Sequence, residues 1–272
     1  MVEKNEYILG TEAREIDRLR VQHTAWVEHA YRLFRHAGIR GGQSVADIGC
    51  GPGFTTLELA RCVGPEGRVL ACDRSERFLA HVTDQCRQHG IHWVETALGD
   101  AEHLDLPPNT LDAAYARWLL CWVPDAGVII DRLARIVKPG GALLFQEYLD
   151  WDAMKFLPVS APFGTAIDAC MQSWVAGKAT INIAEQFPDL AARYGLILEH
   201  FEPIARLGRV GSLEWRWVTG FLRGYLPGLV EQGLLTSHEL ASFEAEYQAR
   251  SNDGNSFIYT PTMADVILRR PR

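Results

Sequence analysis

The densest chemistry in the chain lies in nine consecutive residues, Val45-Ala46-Asp47-Ile48-Gly49-Cys50-Gly51-Pro52-Gly53. An apolar run reaches an acid and then a glycine turn, the layout of a strand that hands over to a helix. Glycine lets backbone approach a ligand closely and adopt positive φ where a side chain would clash. Dinucleotide turns also use Gly-x-Gly, but their third glycine comes three residues after the second, to seat a pyrophosphate on the helix N-terminus. Here Gly53 arrives one residue early, and Asp47 stands two residues before the first glycine. An acid at that place suits a ligand carrying an ammonium group better than one carrying two phosphates. Asp73 ends the next apolar run, 20 residues after Gly53, where a carboxylate can take both hydroxyls of a ribose. Arg74 follows it and can lie along an adenine face. In Gly99-Asp100-Ala101, Asp100 reads either as a helix N-cap or as an acceptor for an exocyclic adenine amine, with the Ala101 N–H meeting a ring nitrogen. In step with Asp47 and Asp73, it is read as the second.

These residues need a scaffold that brings successive loops to one edge. Thr11 to Ala37 carries Ile16, Leu19, His23, Trp26, Ala30, Leu33 and Phe34 at alternating spacings of three and four, an amphipathic helix with Thr11 as N-cap. From Gly42 the pattern changes. Strands are expected at 45–48, 68–72, 91–96, 111–116 and 142–148. Helices are expected at 54–63, 75–89 and 124–137, the last with Pro124 at its first position. Pro139-Gly140-Gly141 reads as the turn into the fifth strand. Apolar strands alternating with helices of this length imply βαβ units and a parallel sheet covered on both faces. The fold class is α/β: a doubly wound, Rossmann-like sheet of about seven strands, mostly parallel with the last antiparallel, carrying helical cap insertions. The expected organisation is a helical lead-in over the cofactor site (1–40), a core (41–150) and a first cap insertion (151–185). The core resumes at 186–210, a second cap insertion covers 211–257, and a closing strand ends the chain (258–272). Both insertions are expected to stack over the carboxyl edge of the sheet, where open α/β sheets bind ligands.

The run from Val45 to Gly53, Asp73 at the next strand end, Gly99-Asp100-Ala101 and Val137-Lys138-Pro139-Gly140-Gly141 resemble the successive motifs of the class I S-adenosylmethionine-dependent methyltransferases. The flavour is that of the small-molecule branch that includes quinone-biosynthesis C-methyltransferases. Tyr7-Ile8-Leu9-Gly10, Glu15, Arg18-Leu19 and Gln22 resemble a lead-in of one part of that group. The resemblance covers residues 7–148 well and later residues only as architecture. It implies S-adenosyl-L-methionine as cofactor, with the backbone of Gly49, Cys50 and Gly51 at its methionine end and Asp47 near its ammonium through water. It further implies Asp73 on the ribose, Arg74 beside the adenine, and Asp100 with Ala101 on the adenine edge. The carbonyl of Arg117 would face the amino group, and Tyr7 and Gln22 would close the pocket.

Methyl transfer from a sulfonium is an in-line displacement that needs alignment and a dry cleft, and a high-pKa nucleophile also needs a proton acceptor. Glu147 and Tyr148, at the end of the fifth strand, are the candidates, against the plainer reading of a strand-end hydrogen bond and an aromatic lid contact. Trp118, Trp122, Trp151 and Trp174 are candidates to line an apolar pocket for a flat acceptor. The net charge of −7 speaks against a nucleic-acid footprint or a polybasic membrane anchor. No apolar run approaches the roughly 20 residues of a membrane helix, and residues 1–6 do not have the layout of a secretory signal. Six dispersed cysteines read as reduced thiols in the cytoplasm, without a metal framework. The expected partner is a small-molecule acceptor, with no nucleic acid and no membrane. Two rival readings stay open: a protein of this fold that binds the cofactor without transferring methyl, and an NAD-dependent dehydrogenase, which the glycine spacing disfavours.

Overall fold

The computed structural model describes residues 13–272, so the expected Thr11 cap and the Tyr7 lead-in lie outside the described residues. In chain order the elements begin with helix α1 (Ala13–Ala37), strand β1 (Ser44–Ile48), α2 (Phe54–Val63), β2 (Arg68–Asp73), α3 (Glu76–Gln88) and β3 (Val94–Leu98). There follow β4 (Leu111–Arg117), α4 (Ala126–Ile136), β5 (Val137–Asp150), β6 (Lys155–Leu157), α5 (Ala161–Ala176), α6 (Phe187–Arg193) and β7 (Ile197–Ile204). The chain closes with β8 (Leu207–Arg209), α7 (Leu213–Glu231), α8 (Ser237–Ser251), β9 (Phe257–Tyr259) and β10 (Thr262–Arg269).

Seven strands form one Rossmann-like sheet in the order β3-β2-β1-β4-β5-β10-β7. The pairings from β3 through β5 are parallel, and β10 runs antiparallel to both β5 and β7. Period-two alternation sends side chains to two cores. Val45, Val69, Ala71, Ala113, Tyr115 and Leu144 face one of them, with the inner faces of α1, α2 and α3. Ala46, Ile48, Leu70, Ala114, Leu143 and Phe145 face the other, with α4 and α6. That second core runs without a break into the aromatic packing of α5, α7 and α8. From β1 the chain winds outward to β3 and then returns to β4 on the other flank, so the strand order reverses between β1 and β4. Ligand crevices form at such a reversal.

Several boundaries differ from expectation for local reasons. The third strand starts at Val94 instead of Ile91, because the Ile91 N–H still closes α3 on the Cys86 carbonyl at 2.9 Å. Helix α4 begins after Pro124, because the Asp125 side chain accepts from the Gly127 N–H at 2.8 Å and caps it. The expected Pro-Gly-Gly turn is a bulged stretch inside β5, where pairing shifts between Leu111↔Val137 and Ala113↔Ala142. A second sheet, β6-β9-β8, is antiparallel and built from three-residue strands that no sequence pattern announced.

Candidate functional site: a cleft at the carboxyl edge of β1 to β4

The loops leaving β1, β2, β3 and β4 open on one cleft. Its walls include Asp47, Gly49, Cys50, Gly51, Asp73, Arg74, Asp100, Ala101 and Arg117, together with Gln22 from α1. The three acids differ in setting. Asp47 is buried and accepts from the Thr56 hydroxyl at 2.7 Å. Burial pushes it up to about 6, opposed by the Thr56 hydrogen bond and by the Arg117 guanidinium. Asp73 accepts from the Gly51 N–H with one oxygen and the Ser75 N–H with the other, both at 2.8 Å, which fixes the carboxylate plane. Burial raises Asp73 as well. Asp100 is exposed and takes the Glu102 N–H at 3.2 Å, so it is an N-cap and a cleft residue at once. Gly51 holds φ at 53°, and a Cβ there or at Gly99 would meet nothing within 4 Å, so the backbone beside Asp73 and Asp100 faces open space. Acceptors on three neighbouring loops, free glycine backbone and a cation at the far end fit an adenosine joined to an amino acid.

Arg117, at the end of β4, crosses the base of the cleft toward α1 and α2. Its Nη2 donates to the Thr55 hydroxyl at 2.9 Å and lies 3.2 Å from His23 Nδ1. A guanidinium only donates, so His23 Nδ1 must accept and the imidazole carries its proton on Nε2. That nitrogen is 3.7 Å from Glu58. Burial, then Arg117, lowers the His23 pKa against the pull of Glu58 and keeps the ring neutral. Burial works against ionisation of Glu58, yet hydrogen bonds from His23, Arg61 and Tyr31 hold it down at about 2.

Trp118 follows with φ of 51°, a left-handed conformation that costs a bulky residue about 1–3 kcal/mol. What holds it there is Glu147 on β5, whose Oε1 accepts from the N–H groups of Leu119 and Leu120 at 2.9 and 2.8 Å. Glu147 is fully buried, and burial lifts it to about 7 against those two N–H bonds. The turn presents the Trp118 indole to the cleft, with Arg117 4.8 Å above the ring and Trp217 behind it at 5.8 Å. Leu19, Phe54, Phe78, Trp122, Val123, Tyr148 and Phe221 complete the apolar wall.

The cleft therefore gathers Gln22, the residues of the three acidic loops, Arg117, Trp118, Trp122 and Tyr148 from the sequence expectations. Glu147 requires correction as a proton acceptor, because it faces the Leu119–Leu120 backbone and does not line the cleft. Trp151 and Trp174 require correction as substrate contacts. They are 1% and 3% exposed and stack behind Trp122, with Trp174 4.7 Å from it and Trp151 5.5 Å from Trp174. Of the two insertions, 211–257 sends Phe221 to the cleft, while no residue of 151–185 lines it. Tyr7 is not among the described residues. Sequence reasoning missed His23 and Thr55 as supports of Arg117. Both sit on helix stripes that read as ordinary packing, and nothing local links them to β4.

Residues 46–145 match the family model described as a methyltransferase domain. An uncharacterized 37.1 kDa protein of transposon TN4556 from Streptomyces fradiae is 29% identical over 198 residues, 71% of this chain and 56% of that protein. A demethylmenaquinone methyltransferase of Geobacillus stearothermophilus is 32% identical over 115 residues, 42% of this chain and 49% of its own length. The chain thus spans about half the length of the curated relatives it matches. Among solved structures, a geranyl diphosphate C-methyltransferase of Streptomyces coelicolor superposes with a TM-score of 0.58 at 18% identity, covering 91% of this chain and 80% of that one. Residues 46–145 are thus similar to a methyltransferase domain, and the chain resembles the class I S-adenosylmethionine-dependent enzymes of the quinone C-methyltransferase kind.

Proposed function

We propose that the chain is an S-adenosylmethionine-dependent methyltransferase acting on a small, apolar or aromatic acceptor through O, N or C. The observation that carries this reading is the convergence of Asp47, Asp73 and Asp100 on one cleft with an aromatic wall. When bound, S-adenosylmethionine supplies an electrophilic methyl group on a sulfonium, which leaves as a neutral thioether. Asp73, oriented by two backbone N–H groups, would hold the ribose hydroxyls, and Arg74 would lie beside the adenine. Asp100 and the Ala101 N–H would read the adenine edge, while the Gly49–Gly51 backbone and Asp47 would take the amino-acid end. Trp118, Trp122, Tyr148 and Phe221 would press a flat acceptor against the donor and exclude water, which is where most of the catalysis of such a displacement lies. Of the two β5 candidates, Tyr148 is left to orient or accept the acceptor's proton. The net charge of −7 and the enclosed aromatic wall favour a small acceptor over a nucleic acid. Six free thiols fit a cytoplasmic setting.

Calorimetry with S-adenosylhomocysteine and with NAD is the first test, and only the former should bind. Binding of NAD alone would end the proposal. Transfer of labelled methyl to a panel of phenols, amines and quinones is the second. Tight nucleoside binding with no transfer to any of them would move the chain to the reading of a cofactor-binding protein.

A further inference from the structure

Glu15, Arg18 and Gln22 stand three and four residues apart on α1, which puts them on one face of the helix. Arg18 grips Glu15 through Nε and Nη2 at 2.8 and 2.7 Å, and its Nη1 donates to the Gln22 Oε1 at 2.9 Å. A guanidinium only donates, so this bond fixes which end of the Gln22 amide is the oxygen. The other end, Nε2 with its two hydrogens, is left over. Gln22 is 8% exposed and lines the cleft, and among the described residues no group accepts from its Nε2. Burying an amide donor is costly unless something accepts from it, and here the cleft is where an accepting group can come from.

Place decides what that group belongs to. Asp73 and Asp100 follow β2 and β3, on one flank of the sheet, whereas α1 packs on α7, β5 and β10, beyond β4 on the other. One turn before Gln22, the Arg18 guanidinium lies 5.8 Å from the Phe221 ring. One turn after it, Trp26 meets Trp118 edge-on at 6.0 Å. Gln22 therefore sits between Phe221 and Trp118, two members of the apolar wall, and away from the nucleoside loops. An amide N–H there matches an oxygen lone pair. An arylamine would turn N–H groups of its own toward it, donor against donor. A site that hydrogen-bonds its substrate discriminates best against the analogue that leaves its polar group unpaired.

We propose that Gln22 is a specificity-determining residue that donates from Nε2 to an oxygen of the methyl acceptor, so that the acceptor is a hydroxyarene and not an arylamine. In this assignment Gln22 serves the acceptor instead of closing the pocket on the donor. The proposal rests on the methyltransferase reading above.

The test is calorimetric titration of the full chain, saturated with S-adenosylhomocysteine, with 1-naphthol and with 1-naphthylamine. The two rings differ only in hydroxyl against amino group, and both are uncharged at neutral pH. The wild-type chain should bind the naphthol about three- to tenfold more tightly. Gln22→Leu should abolish that preference. Gln22→Glu keeps an oxygen for Arg18 and puts a second oxygen where Nε2 stood, so it should reverse the preference toward the amine. Both variants should hold S-adenosylhomocysteine itself within about twofold. A larger loss toward S-adenosylhomocysteine would assign Gln22 to the donor and overturn the proposal. So would a wild-type chain that binds the two rings equally or binds neither, or a Gln22→Glu chain that keeps the wild-type preference, which would reduce Gln22 to a support of Arg18. If Gln22→Leu fails to give a native melting transition, Gln22→Glu decides alone. A wild-type chain that does not bind S-adenosylhomocysteine removes the methyltransferase reading itself.

Discussion

Asp47, Asp73 and Asp100 share a cleft but not a depth: Asp47 is buried and Asp100 exposed. Asp47, buried and pushed up to about 6, takes up a proton just below neutrality. A ligand ammonium prefers the ionised form, so affinity should be full above this range and fall as pH drops through 6, by at most about tenfold per unit for one proton. Asp47→Asn should bind S-adenosylhomocysteine more weakly at pH 8 and show a flatter profile, read by titration from pH 5 to 8. His23 also charges on the acid side, as its lowered pKa dictates, and once charged its Nδ1 can no longer accept from Arg117. Asp73→Ala should cost about 1–3 kcal/mol of S-adenosylhomocysteine binding through lost charge-assisted hydrogen bonds. An unchanged dissociation constant would remove Asp73 from the ribose. These side chains were legible in the sequence because each stands at or just beyond the end of a strand, at a spacing that one βα unit fixes. The role of Glu147 was not legible: its two backbone partners lie 27 and 28 residues earlier in the chain, on the neighbouring strand's turn.

At the scale of the element, β5 does its work through that turn. The fold raises Glu147 to about 7 and therefore prefers its neutral form. Its contribution to stability is complete below the ordinary carboxylate range and is lost as pH rises through 7. Across that window the loss is about 1–3 kcal/mol. Glu147→Gln, neutral throughout, should lose less melting temperature than wild type between pH 5 and 8. Asp265, also lifted to about 7, gives both proteins the same background. A steeper loss in the variant would mean that the clamp on Leu119 and Leu120 needs the anion. Gly53, at the head of α2, offers a second test. It holds φ at 81°, and a Cβ there would stand 2.4 Å from Val82 Cγ2 on α3. Gly53→Ala should therefore cost about 2 kcal/mol or more in denaturant unfolding, by strain and overpacking together. Strands and helices of the sheet domain were readable from periodicity. The β6-β9-β8 sheet was not, because strands of three residues are too short for a period and their partners lie far apart in the chain.

Over the whole molecule, the second core passes from beneath β4 and β5 into the cap without a polar boundary, through Phe156, Phe163, Trp174, Trp215 and Phe243. Sheet and cap should unfold in one transition. Phe163→Ala should lower stability by about 3–5 kcal/mol, yet leave S-adenosylhomocysteine affinity within about twofold, since Phe163 packs on Phe156 and Phe243 away from the cleft. Two separate transitions would show the cap to be an independent unit. Which tryptophans face the cleft was decided by this packing alone. Trp122 and Trp174 read alike in the sequence, and the fold puts one at the wall and the other behind it. That division has a practical consequence. With Trp118 and Trp122 bordering the cavity, and Trp217 and Trp174 packed behind them at 5.8 and 4.7 Å, a bound quinone would quench the intrinsic emission. The protein thus carries its own fluorescent indicator, one that can rank unlabelled acceptor libraries before any turnover is measured.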